Sequence, residues 1–178
     1  MSGATIVEEY DARWPQEFEK LRAQIAAVLG SLAAAIEHIG STAVPGLAAK
    51  PIIDIDVLLK PDADFAQAVS ALTSAGYEDR GDLGICGREA FLPPAESYPH
   101  HLYVCVSEAG EYQRHLVFRD HLRSHLKDVE SYATLKRRLM REFEWDREAY
   151  TEGKSEFVEW ILRLARGEHS EHGERISS

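Results

Sequence analysis

EHIGSTAVPGLAAKPIIDIDV, residues 37–57, sets two aspartates into what otherwise reads as a buried strand. Residues two apart in a strand share a face. Within 52–59, Ile53, Ile55, Val57 and Leu59 form one apolar face, while Ile52, Asp54, Asp56 and Leu58 form the other. Ionised carboxylates among apolar groups are costly to bury without a partner, a proton or a metal. Side chains on that face recur every ~7 Å, so Asp54 and Asp56 can converge on a divalent cation. Oxygen-only ligands favour Mg²⁺ or Mn²⁺ over zinc. The competing reading is a wet sheet face with both aspartates solvated. Gly40-Ser41, just upstream, supports the first: glycine permits close backbone approach, and the serine hydroxyl can donate to a phosphate oxygen. Cations beside such a loop would neutralise a triphosphate during in-line displacement.

Outward from this stretch, the apolar spacing of Phe18, Leu21, Ile25, Val28, Leu29 and Leu32 predicts a helix over 14–33. Residues 35–39 and 52–59 read as strands, with a small-residue loop between them. A helix follows over 61–76, with Asp62 or Asp64 near its start. YEDR, REAFLP and HHLYVCV read as three short strands separated by turns. Helical patterns occupy 111–125, 128–148 and 152–166. The order predicts an α+β fold, a mixed sheet with a helical C-terminal part. It fits a single domain over 1–166, with 167–178 as a disordered tail of almost no apolar content.

The 178 residues carry a formal charge of −10, which argues against extended nucleic-acid binding but leaves room for a local basic pocket. No apolar run approaches the ~18 residues a membrane span needs, and the N-terminus lacks the pattern of a secretory signal. Cys86 and Cys105, both in strand-like stretches, read as reduced, buried thiols of a cytoplasmic protein. Trp14, Trp145 and Trp160 read as packing residues.

Gly40-Ser41, twelve residues, then Asp54-Ile55-Asp56 resembles the signature of the polymerase-β type of nucleotidyltransferase fold. With YDARWPQEFEKL, HHLYV, FRDHLRSH and YTEGKSEFV, the chain up to about residue 166 is similar to the GrpB family. The resemblance implies Gly40 and Ser41 at a nucleotide phosphate and Asp54 and Asp56 as metal ligands. The expected function is metal-dependent transfer of a nucleotidyl group from a nucleoside triphosphate to a small-molecule or protein acceptor. The alternative is a non-catalytic nucleotide- or cofactor-binding module of the same fold. Enzymes of this fold generally carry a third carboxylate on a later strand, but HHLYVCV has none. His101 as base, or Glu89 as carboxylate, are the candidates to replace it.

Lys50, Arg119, Arg123 and Lys154 are candidate phosphate contacts, each against the plainer reading of a solvated charge. Lys154 is expected in the first turn of the last helix, where a cation opposes the helix dipole. His121 and His125 are four apart, a spacing that can hold zinc. No glutamate follows His121, so a metalloprotease motif is absent and the pair reads as surface histidines. Ser41 lacks a nucleophile-elbow pattern, which discounts a hydrolase triad.

Overall fold

The computed structural model describes residues 7–106, 110–143 and 146–167; Trp145 and residues 168–178 of the expected tail lie outside these. Helix α1 (Trp14–Leu29) places Trp14, Phe18, Leu21, Ile25 and Leu29 on one buried stripe, at the three- and four-residue spacing a helix requires. It stops four residues before the predicted end, because Gly30 turns to φ +53 and a 3-10 turn leads into the first strand. Strands β1 (Ala33–Ile39) and β2 (Ile53–Leu59) follow, joined by the Gly-Ser loop. Helix α2 (Phe65–Ser74) is capped by Asp64, whose carboxylate accepts from the Ala66 amide at 2.9 Å.

Strands β3 (Glu78–Asp79), β4 (Arg88–Leu92) and β5 (His100–Cys105) complete a five-stranded sheet in the order β1-β2-β5-β4-β3. Only β2 and β5 pair in parallel; the other neighbours are antiparallel. The C-terminal part is α3 (Glu111–Ser124), α4 (Leu126–Glu142), α5 (Arg147–Glu152) and α6 (Ser155–Ala165). The predicted helix over 128–148 is broken: Phe143 leaves helical geometry at φ −124, and Asp146 caps a new helix by accepting from the Ala149 amide. The architecture is the predicted α+β mixed sheet. Among the described residues, no helix is long and apolar enough to cross a membrane.

Ile53, Ile55, Val57 and Leu59, the apolar face of β2, pack with α1 and α2 in one core. The other sheet face is covered by α3, where Leu58 and Cys105 meet Tyr112. Burial pushes the Cys105 thiol up to about 12, so it behaves as a packing group. Cys86 departs from expectation: it is exposed, in a turn ahead of β4 rather than in a strand.

The loop between β1 and β2 sits on a second core. Its Val44 and Leu47 are buried against Leu122 of α3, Val129, Tyr132 and Ala133 of α4, and Phe157 and Ile161 of α6. Its first residue, Gly40, has φ +70, and a Cβ there would lie 2.2 Å from Oδ2 of Asp54. Glycine is therefore required twice, for backbone angle and for space. Gly40→Ala is expected to destabilise the fold by about 1–3 kcal/mol through strain and displacement of Asp54. A urea midpoint equal to wild type would overturn this account.

Candidate functional site

The strand register decides which side chains meet. Parallel pairing of β2 with β5 sets Asp54 beside His101 and Asp56 beside Tyr103. Antiparallel pairing with β1 sets Ile39 opposite Asp54 and Glu37 opposite Asp56. On β4, Arg88 stands opposite Cys105. Cross-strand partners share a face, so Glu37, Asp54, Asp56, His101, Tyr103 and Arg88 occupy one face of the sheet, beneath α3.

Each aspartate meets a histidine. Oδ1 of Asp54 lies 2.7 Å from Nδ1 of His101, and Oδ2 of Asp56 lies 2.7 Å from Nδ1 of His115 on α3. Asp56 is wholly buried, whereas the Asp54 side chain is 29% exposed. Burial raises the Asp56 carboxyl above the usual range, and the His115 hydrogen bond offsets this only in part. Burial opposes charge on His115 too, but its hydrogen bond to Asp56 and that carboxylate's charge prevail and raise the imidazole. The Arg88 guanidinium lies over the Tyr103 ring at 4.6 Å, and its charge also favours ionised Asp56.

Asp54 opens into a hollow of about 280 Å³ shared with Ser41, Lys50, His101, Lys136, Tyr150 and Lys154. Lys136, from α4, is buried; its ammonium donates to Ser41 Oγ at 3.0 Å and to the Ala48 carbonyl. Burial first, then the nearby Lys154, lower its amine to about 7. Lys50 and Lys154 place their ammonium groups 5.0 and 4.5 Å from the Tyr150 ring centre. Lys154 is the residue just before α6 rather than within its first turn. A larger hollow, about 470 Å³, lies against α1 between Lys20, Tyr77 and Tyr98, away from both aspartates.

The serine loop is held from several sides. Thr42 Oγ1 donates to the Ile52 carbonyl and accepts from Nε2 of His38 at 2.9 Å. Burial lowers His38 to about 4, keeping it the neutral donor this bond needs. His100, next to His101 in sequence, points to the opposite face: its Nδ1 donates to the Tyr98 carbonyl and its Nε2 accepts from Tyr77.

The structure brings Gly40, Ser41, Lys50, Asp54, His101 and Lys154 together, with Asp56 sealed behind them. Glu89 is not among them. It pairs with Val104 on the opposite face, where loss of solvent and the charges of Asp79 and Asp82 raise its carboxyl. It cannot supply the third acid. Arg119 and Arg123 also stay out of the hollow: Arg119 binds Glu37, Asp120 and the His38 carbonyl, and Arg123 donates to the Ala43 carbonyl at 2.9 Å. They brace the loop from outside. Sequence reasoning missed Lys136 and Glu37, and it placed His115 on the helical face of Arg119 and Arg123 without giving it a role. The available signal was a charged residue on an apolar helical stripe, since Lys136 falls in line with Val129, Tyr132, Ala133 and Leu139.

A hard dication fits this donor set. Oδ1 of Asp56 is buried with no hydrogen-bond partner among the described residues, Asp54 shares its face, and both offer oxygen.

The chain matches the family model described as GrpB protein over residues 4–164. It is 42% identical over 159 residues to a UPF0157 protein of Pseudomonas aeruginosa, covering 87% of this chain and 65% of that protein. The chain thus spans less than two thirds of that relative's length. The crystal structure of GrpB from Enterococcus faecalis superposes with a TM-score of 0.81 at 32% identity, covering 90% of this chain and 96% of that one. Cid1 in complex with its short product ApU superposes with a TM-score of 0.50 at 14% identity, over 76% of this chain and 43% of that one. That distant likeness concerns the fold, which is nucleotidyltransferase-like. The chain belongs to the GrpB family.

Proposed function

We propose that this protein is a metal-dependent nucleotidyltransferase, moving a nucleotidyl group from a nucleoside triphosphate to a hydroxyl of a small-molecule or protein acceptor in the cytoplasm. One observation carries the reading: a single hollow joins an aspartate, a serine loop and three lysines in a chain of net charge −10. Converging cations in a concave hollow suit a polyphosphate. Asp54 and Asp56 would hold Mg²⁺ or Mn²⁺, which would neutralise phosphate charge. Ser41, Lys50, Lys136 and Lys154 would grip the triphosphate.

The acceptor oxygen would attack the α-phosphorus, and the bond from it to the bridging oxygen would break, releasing pyrophosphate. With Nδ1 of His101 donating to Asp54, Nε2 is the nitrogen that would take the acceptor's proton. A second reading rests on Asp56, which is wholly buried against His115: a module that binds nucleotide without transferring it. Incubation with labelled nucleoside triphosphates and cell extract separates the two. Only the enzyme releases pyrophosphate and labels an acceptor, and nucleotide binding without either product supports the module.

Asp54→Asn is expected to keep the fold and weaken Mg²⁺-dependent nucleotide affinity by more than about tenfold, read by calorimetry with and without Mg²⁺. Unchanged affinity would refute the site.

Lys136 gives a pH signature. Its amine, held near 7 by burial, is largely charged below that pH and neutral above it. A bound phosphate favours the ammonium, so binding above pH 7 takes up a proton and affinity falls as pH rises. Lys136→Met should remove that slope and cost about ten- to a hundredfold at pH 6, the worth of a charge-assisted hydrogen bond. A variant with the wild-type pH profile would exclude Lys136 from the phosphate site.

A further inference from the structure

We propose that His121, His125 and Asp128 form a second, separate metal site, taking a dication of the zinc class at the corner between α3 and α4. Each of the three offers one ligand atom, and these atoms all lie within 4.8 Å of one another. His121 is in the last turn of α3, His125 is the hinge between the helices, and Asp128 is in the first turn of α4. The sequence reading of a surface pair fails for His121, whose side chain is 7% exposed. Asp128 is 18% exposed, and only His125 faces solvent.

Two details favour a metal. Nδ1 of His125 lies 2.8 Å from the His121 carbonyl. A carbonyl only accepts, so Nδ1 is the donor and Nε2 is the nitrogen left to ligate, the arrangement usual in metal-ligating histidines. In addition, Nε2 of His121 lies 2.7 Å from Oδ2 of Asp128. Zinc ligands at about 2.0–2.2 Å, arranged tetrahedrally, lie ~3.4 Å apart, so replacing the proton with a metal opens that contact by under an ångström.

Two nitrogens and one oxygen suit zinc and its neighbours in the transition series better than Mg²⁺. Both imidazoles border a hollow of about 490 Å³ that leaves room for a fourth ligand, such as water. The consequence is mechanical: α3 delivers His115, Arg119 and Arg123 to the sheet face and serine loop, while α4 delivers Lys136. A metal at their junction would fix the angle between these helices. The proposal does not depend on the nucleotidyltransferase reading.

The test is equilibrium dialysis of the metal-stripped full chain against Zn²⁺, with Co²⁺ absorption reporting the donor atoms. Wild type, Asp54→Asn and a His169→Ala/His172→Ala variant should each bind this equivalent, and excess Mg²⁺ should not displace it. His125→Ala, at an exposed position, should melt like metal-free wild type yet lose the equivalent or bind it more than about tenfold more weakly. His121→Ala should lose it as well. The proposal is overturned if wild type binds no Zn²⁺, or if His125→Ala and His121→Ala both bind it as wild type does. Loss in Asp54→Asn or in the tail variant, with His125→Ala unaffected, would also overturn it.

Discussion

Asp56 lies in the middle of the sheet with no exposure to solvent, and a carboxylate so placed needs a proton or positive charge close by. His115 supplies it from α3, and the elevated affinities of both groups describe a proton held between them. That contact only forms if α3 lies across the aspartate face. Arg119, one turn further along, fixes it there through Glu37 and the His38 carbonyl. Glu37 is itself the cross-strand neighbour of Asp56. One buried acid therefore dictates the placement of a helix, and that helix closes one side of the serine loop.

The loop's other side belongs to α4 and α6. Val44 and Leu47 bury their side chains among those helices, while Lys136 reaches Ser41 and Ala48 with an ammonium. The division of labour between cations follows from their chemistry. Arginine's planar fork satisfies a carboxylate and a carbonyl at once, which suits Arg119 to bracing. Lysine is a compact charge whose pKa yields to burial, and three lysines face the hollow.

Local patterns in the sequence were enough to read β2. Alternation over residues 52–59 places its two faces correctly, and the core contacts of Ile53, Ile55 and Val57 follow from it. An aspartate near the start of α2, left open between Asp62 and Asp64, and the three short strands were legible for the same reason, being properties of adjacent residues. The helix end at Leu29 and the break after Glu142 were overrun because apolar spacing continues past both points while the backbone turns. Site membership was harder, since it depends on register between distant strands. Glu89 and Arg88 are neighbours in sequence, yet alternation sends them to opposite faces, and only the pairing with β5 says which one joins Asp56. Arg119 and Arg123 looked like phosphate ligands because their partners, Glu37 and the Ala43 carbonyl, are about eighty residues away.

Lys136 shows how packing and chemistry converge in the proposed site. A lysine on an apolar helical stripe costs stability, and its amine falls to about 7 because the surroundings are poor in solvent. Its remaining partners, a serine hydroxyl and a carbonyl, are neutral. An arriving phosphate would add a full negative charge beside the ammonium, so energy withheld by burial would be returned on binding. The same residue links the loop that positions Gly40 to the helix that seals the second core. Filling the hollow would thereby tighten contacts well beyond it, and the net gain would shrink as pH rises past 7, where part of it goes into protonating the lysine.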